Sequence, residues 1–339
     1  MAARVGTLDL SISEGHANLC KRILETIINS CLPGVFTRLI VRETSLGPAS
    51  PRFITPKDKK VSYPIHHRFN LDVSEEQLDD VFLPCTSLQL RGLFFPWTSK
   101  VYQGLTELRL SCPGARVEIS EQQLVAILKS NAQLRILEFR ISIQPSNLVD
   151  AEPVVLLELE NLVVTIDHEM TLPRFIRLIT PGSKVLDVSF HLQNNIDIFV
   201  DSPFVNYVRE FFSRSKIGQL CVSRIEYSVI IHLLMLAPNV RTLILDNCHW
   251  AWGSKYEIQL PVQGGSLDVL YVINSSIYID DLLELIETYG VQKVVCWRYR
   301  QFHGGTEFTC GSLDEALRER ESESFPALKV LDSNPVQND

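Results

Sequence analysis

The chain of 339 residues is 45% apolar and 21% charged, the composition of an ordinary globular protein rather than a disordered or collagen-like one. Its formal net charge of −8 argues against a nucleic-acid partner, because a phosphate-tracking surface needs clustered, uncompensated Lys and Arg. The longest apolar run, Val229 to Ala237, is broken by His232 and is too short for a bilayer, so no membrane partner is expected.

From the N-terminus, Leu8/Leu10 and Leu39/Val41 read as two early strands around an amphipathic helix carrying Leu19, Ile23, Leu24, Ile27 and Ile28. Leu46 to Pro64, with Pro48, Pro51, Pro56 and Pro64 among Lys57, Lys59 and Lys60, reads as a long loop, and the irregular stretch is set at 44–74. A short acidic helix from Glu75 to Leu83 leads into a third strand, Leu88/Leu90.

From Leu105 a unit of the form apolar-x-x-apolar-x-apolar recurs. Its copies are Leu105/Leu108/Leu110, Leu134/Leu137/Phe139, Leu159/Leu162/Val164, Leu186/Val188, Ile217/Leu220/Val222, Val240/Leu243/Leu245, Leu267/Leu270/Val272 and Val291/Val294/Cys296. The central residues are spaced by 23 to 34 positions, which fits a leucine-rich repeat with a few stretched units. In each copy the L-x-L pair is a period-2 strand with one buried face. Helical spacing follows: Ser120 to Gln123 opens a capped helix with Leu124, Ile127 and Leu128 on one side. Phe204, Val208, Phe211 and Phe212 follow Pro203, and Leu282, Leu283, Leu285 and Ile286 follow Asp280 and Asp281. A lone unit cannot bury both its strand and its helix, so neighbours must stack. The expected fold is α/β, a leucine-rich-repeat solenoid with parallel strands on a concave face and helices on a convex one. It is expected as a single domain over 1–333, clearest over 105–297, with a C-terminal tail at 334–339.

The segments Leu134 to Phe139, Pro181 to Val188 and Val240 to Cys248, where Cys248 takes a slot that favours Asn or Cys, resemble the repeat region of fungal F-box and leucine-rich-repeat proteins. The resemblance covers roughly residues 86–331, and no Leu-Pro-x-Glu-like signature stands before Leu105. It implies a non-catalytic protein-binding array that holds a target for an SCF-type ubiquitin ligase, with a cullin RING ligase adaptor as a second partner. A general scaffold or regulatory binder is the alternative outside ubiquitin chemistry, and an unrecognised enzyme is a third reading.

If the central residues point inward, their neighbours line the concave surface as a row: Arg109, Glu138, Val163, Asp187, Cys221, Ile244, Tyr271 and Val295. Arg109, Glu138 and, one row on, Arg140 make its first half charged. Ile244, Tyr271, Ile273, Val295 and Trp297 make the second half apolar, the usual look of a protein contact site with aromatic anchors. The competing reading makes these residues core, since a one-residue slip exchanges every face. For Arg109 and Glu138 it makes a solvated ion pair.

No phosphate loop, dinucleotide fingerprint, nucleophile elbow or metal-binding helix occurs, so no enzyme, cofactor or metal is expected. The eight cysteines contain no C-x-x-C pair and read as reduced core residues, which with no apolar leader after Met1 points to cytosol or nucleus. His66-His67 lacks a third ligand. His249-Trp250-Ala251-Trp252 with Tyr256 reads as a loop packed on the next repeat, and Asp314 to Glu323 as a solvated helix.

Overall fold

A computed structural model describes residues 6–13, 16–31, 34–43, 52–58, 67–112, 117–144, 152–166, 171–192, 203–250, 265–298, 300–303, 306–308 and 327–330. The chain is α/β, with helices alternating with a large set of parallel strands. It divides into two compact units, Met1–Asn161 with Arg177–Lys184, and Leu162–Ile176 with Val185–Asp339.

In the first unit β1 (Thr7–Ile12), β2 (Arg38–Glu43), β3 (Ser87–Arg91), β4 (Glu107–Ser111) and β5 (Ile136–Arg140) lie side by side, every pair parallel. Leu8, Leu39, Leu88, Leu108 and Leu137 are level across the sheet, as are Leu10, Val41, Leu90, Leu110 and Phe139. Apart from the two leucines of edge strand β1, all of these are fully buried, in keeping with the period of two expected from L-x-L, although β2 buries Ile40 between them as well. Burying one such side chain contributes roughly 1.5–3 kcal/mol, which makes this double row the main attractive term of the sheet.

Helices α1 (Ala17–Ser30), α2 (Glu75–Phe82) and α3 (Glu121–Lys129) join these strands. Capping boxes start two of them: the Ser74 hydroxyl accepts from the Gln77 N–H and the Ser120 hydroxyl from the Gln123 N–H, each glutamine reaching back to the cap N–H. Helix α1 turns differently from expectation. It buries Cys20, Leu24 and Ile28, while Leu19 and Ile23 are 54% and 38% exposed. Within the stretch 44–74, expected to be irregular, the described residues include two strands. Arg52–Pro56 pairs parallel with Arg68–Leu71 and with Leu93–Phe94, burying Phe53, Ile54, Phe69 and Leu71; Pro56 stands at a strand end, where no ladder donor is lost.

In the second unit the sheet order is β6 (Asn161–Ile166), β7 (Val185–Leu192), β8 (Lys216–Ser223), β9 (Thr242–Asp246), β10 (Val269–Ile273), β11 (Lys293–Trp297) and β12 (Ala327–Val330), with β7 to β12 pairing parallel. Helices α4 (Thr171–Arg177), α5 (Pro203–Ser213), α6 (Tyr227–Leu236) and α7 (Ile279–Thr288) lie between strands. The level residue beside Leu220 is Val188, two positions beyond the expected Leu186, because Leu186 pairs with Ile217 and the ladder then skips Gly218. A side chain at Gly218 would meet Val185 Cγ1 at 2.5 Å, so the bulge uses the one residue that fits.

A turn recurs after five of the described strands. Four positions beyond the central leucine or valine the backbone enters the left-handed region, at Gly92, Arg224, Asn247, Asn274 and Arg298. The N–H of each of the first four reaches the end of the next strand, at Ser111, Asp246, Ile273 and Trp297 O, over 2.9–3.3 Å. The following residue is buried: Leu93, Ile225, Cys248 and Ser275. Positive φ outside glycine is uncommon, so its return at one register position marks a structural repeat. At Cys248 the N–H donates to Ser275 Oγ, whose own hydroxyl lies against Ile273 O, closing one turn onto the next. The segments 314–323 and 334–339 lie outside the described residues.

Candidate functional site

In each unit the strands have a second face, made by the residues between the core rows. In the first unit it is ionic. Arg109 and Glu138 stand level on β4 and β5, with Arg140 two residues on, and the three side chains meet. Glu138 is ion-paired with Arg140, Nε to Oε1 2.7 Å, and accepts from Arg109 Nη1 at 3.4 Å, while Arg109 Nε donates to Glu107 at 2.5 Å. Ser87 adds a hydroxyl bond to Glu107 at 2.7 Å. Burial alone would raise the Glu107 pKa. The bonds from Ser87 and Arg109 and the charges of Arg109 and Arg38 outweigh it and hold the carboxyl below its ordinary value.

Residues that the repeat pattern did not single out complete this face. Arg42 forms a bidentate pair with Asp9 at 3.0 and 3.1 Å, Arg38 reaches Glu107 at 3.9 Å, and Arg91 stands level with Arg42 and Ser111. The signal for them was available: Leu39 and Leu88 are central residues, so the positions three beyond them fall on the same face as Arg140.

The apolar half departs from expectation. Ile244, Tyr271 and Val295 are level on β9, β10 and β11, and Ile273 and Trp297 are level in the next row of that face. Ile244, Ile273 and Val295 are each only 2% exposed, however, and Ile244 and Ile273 form a core cluster with Cys221 against which Tyr271 and Trp297 pack. These strands therefore bury part of their second face as well as their core rows, as parallel strands commonly do. Tyr271 and Trp297 alone keep partial exposure, and Arg298 covers the Trp297 ring with its guanidinium 4.6 Å from the centroid. Cys221 continues the row, level with Ile244, but Asp187 does not, since the skip at Gly218 puts Ser189 level with Cys221 and sets Asp187 against Gln219.

That register also aligns His191, Ser223 and Asp246 on three adjacent strands, two residues from Cys221. The residue types are those of acyl-transfer chemistry, but the thiol is not activated. Burial, with a smaller contribution from the Asp246 charge, pushes Cys221 up to about 12, and burial does the same at Cys85 and Cys248. A nucleophilic cysteine needs the opposite shift. Asp246 instead accepts from Asn274 Nδ2 at 3.3 Å. Among the described residues no group of three His, Cys, Asp or Glu is placed to hold a metal ion, and no helix is long and apolar enough to cross a membrane. Trp250 is buried with its ring 4.8 Å from that of Tyr227, on the helix before β9, while its backbone N–H donates to Ser276 O, beyond β10, at 3.0 Å; Ala251, Trp252, Tyr256 and His66 lie outside the described residues.

No family model matches the chain, and no curated protein does. Among solved structures it is similar to a structural-genomics target from Bacteroides fragilis, with a TM-score of 0.46 and 9% identity over 98% of this chain and 75% of that one. A likeness at that level carries no argument about fold or function.

Proposed function

We propose that the chain is a non-catalytic protein-binding protein built as a leucine-rich-repeat solenoid, with its contact surface on the faces of its parallel strands. The observation that carries this is the recurrence of one turn after five of the described strands, with positive φ at Gly92, Arg224, Asn247, Asn274 and Arg298, each four positions beyond the level leucine or valine of its strand. A repeated strand and turn sets side chains in rows at fixed spacing, a geometry suited to reading an extended partner surface and without a natural place for a deep catalytic pocket. The contact residues are Arg109, Glu138 and Arg140 in the first unit and Tyr271 and Trp297 in the second. Ile244, Ile273 and Val295 serve beneath them as support. The resemblance of the repeats to fungal F-box and leucine-rich-repeat proteins extends the reading to substrate reception for a cullin RING ubiquitin ligase.

Affinity capture with the full chain as bait, from the cell that makes it, tests both levels. A defined partner is expected, with ligase components among the captured proteins. Replacing Tyr271 and Trp297 by Ala should weaken capture while circular dichroism stays that of the folded chain. Capture unchanged by that double substitution overturns the second-unit contact. A partner without ligase components leaves a scaffold or regulatory binder.

A further inference from the structure

One row on the first unit's ionic face contains hydrogen-bond donors and no carboxylate. Ser11, Arg42, Arg91, Ser111 and Arg140 stand level on β1 to β5, each paired with the next. With strands about 4.8 Å apart the row is about 19 Å long, the length of roughly six residues of extended chain.

The carboxylates of this face all lie further back along the strands, and each is already held. Asp9 is bound by Arg42, Glu107 by Ser87, Arg109 and Arg38, and Glu138 by Arg109 and Arg140. Glu43, beside Arg42 in sequence, is buried and bound by Arg52 at 2.6 Å. Five arginines (Arg38, Arg42, Arg91, Arg109 and Arg140) therefore share a face with three carboxylates, in a chain whose net charge is −8. Arg91 is exposed and forms no ion pair among the described residues. It stands directly opposite Arg42 on the neighbouring strand, where like charges are destabilising. An anion laid along the row removes that repulsion and gains charge-assisted hydrogen bonds from guanidinium forks.

We infer that this row takes an extended acidic segment of a partner protein, its Asp or Glu carboxylates on Arg42, Arg91 and Arg140 and its remaining acceptors on the hydroxyls of Ser11 and Ser111. The inference rests on the protein-binding reading above and names the chemistry of that partner. A single phosphate would engage only part of a row of this length. A nucleic acid would bring its dense charge against a chain of net charge −8.

Fluorescence anisotropy of the full chain with a labelled oligo-glutamate of about ten residues tests it, with a Gly-Ser peptide, inorganic phosphate as competitor and a short single-stranded oligonucleotide as comparisons. Oligo-glutamate is expected to bind, more weakly as salt rises. Arg91→Glu should weaken binding by about tenfold or more and Arg140→Ala by about fivefold, while Arg91→Lys retains most of it. Arg241→Ala, at an exposed pair with Asp268 in the second unit, should change nothing. Thermal midpoints close to that of the parent chain verify that the variants fold. Binding no better than the Gly-Ser peptide, binding indifferent to Arg91→Glu, displacement by phosphate at equal charge concentration, or tighter oligonucleotide binding with the same sensitivity to Arg91→Glu each overturns the inference. The same variant in the capture experiment separates the two readings. If Arg91→Glu captures the partner as well as the parent chain, the row is not its site and protein binding stands; if neither captures a partner, protein binding itself fails.

Discussion

Two carboxylates show how the same burial leads to opposite outcomes at the level of single residues. Glu107 and Asp187 are buried to a similar degree, but Glu107 is surrounded by Ser87, Arg109 and Arg38, whereas for Asp187 burial is the one cause acting. The pKa of Glu107 is therefore lowered and that of Asp187 raised. For Glu107 the stabilisation is fully present above its ordinary value of 4.5 and is lost as pH falls through the depressed folded value. For Asp187 the sign reverses: stability is greatest below its ordinary 3.8 and is lost as pH rises through the elevated folded value. Urea titrations of Glu107→Gln should thus show a deficit against the parent chain at neutral pH that closes in acid. Asp187→Asn should show a gain at neutral pH that closes in acid. A deficit for Glu107→Gln that persists unchanged well below pH 4.5 would contradict the assigned ion pairing.

At the scale of elements, the strand and helix positions follow from local chemistry, but their fastening is mostly non-local. Asn131, just beyond α3, is an example. Its side-chain amide donates to Tyr102 O and Ile127 O, both at 2.6 Å, and its carbonyl accepts the Leu105 N–H at 2.6 Å, so one buried side chain ties the end of α3 to the approach into β4. Replacing it by Ala leaves buried backbone groups without partners, and chemical denaturation should register a loss of about 2–3 kcal/mol. A loss below about 0.5 kcal/mol would mean that water substitutes for the amide. The bidentate pair between Glu121 and Arg177 is of the same kind, joining residues 56 positions apart at 2.6 and 2.7 Å. The Ser120 and Gln123 capping box could be read directly because its partners are three residues apart; neither Asn131 nor Glu121 carries a local sign of its partners. Helix α1 shows the limit within a single element. Its apolar residues cover more than one face, and contact with the rest of the first unit selects Cys20, Leu24 and Ile28 over Leu19 and Ile23.

At the scale of the whole molecule, the candidate surface changed character more than the architecture did. Ile244 illustrates it: expected on an exposed patch, it is part of a buried cluster with Cys221 and Ile273. Ile244→Ala should therefore cost about 2–5 kcal/mol of stability, read from the denaturant midpoint, as for truncation of a core aliphatic side chain. A near-neutral substitution would return this residue to the surface. The L-x-L pattern by itself determined where most strands of the large sheet lie and which of their residues form the core rows, because a period of two is a local property of the chain. Tertiary structure alone decided three further matters. It set the true neighbours across the skip at Gly218, because one bulged residue shifts a register that no local signal records. It buried Ile244, Ile273 and Val295 on the second face of their strands, because burial depends on what packs around a side chain rather than on the side chain itself. It also brought Arg42, Arg91 and Arg140 into one row, because level positions on parallel strands are set by the ladder between them and not by distance along the chain.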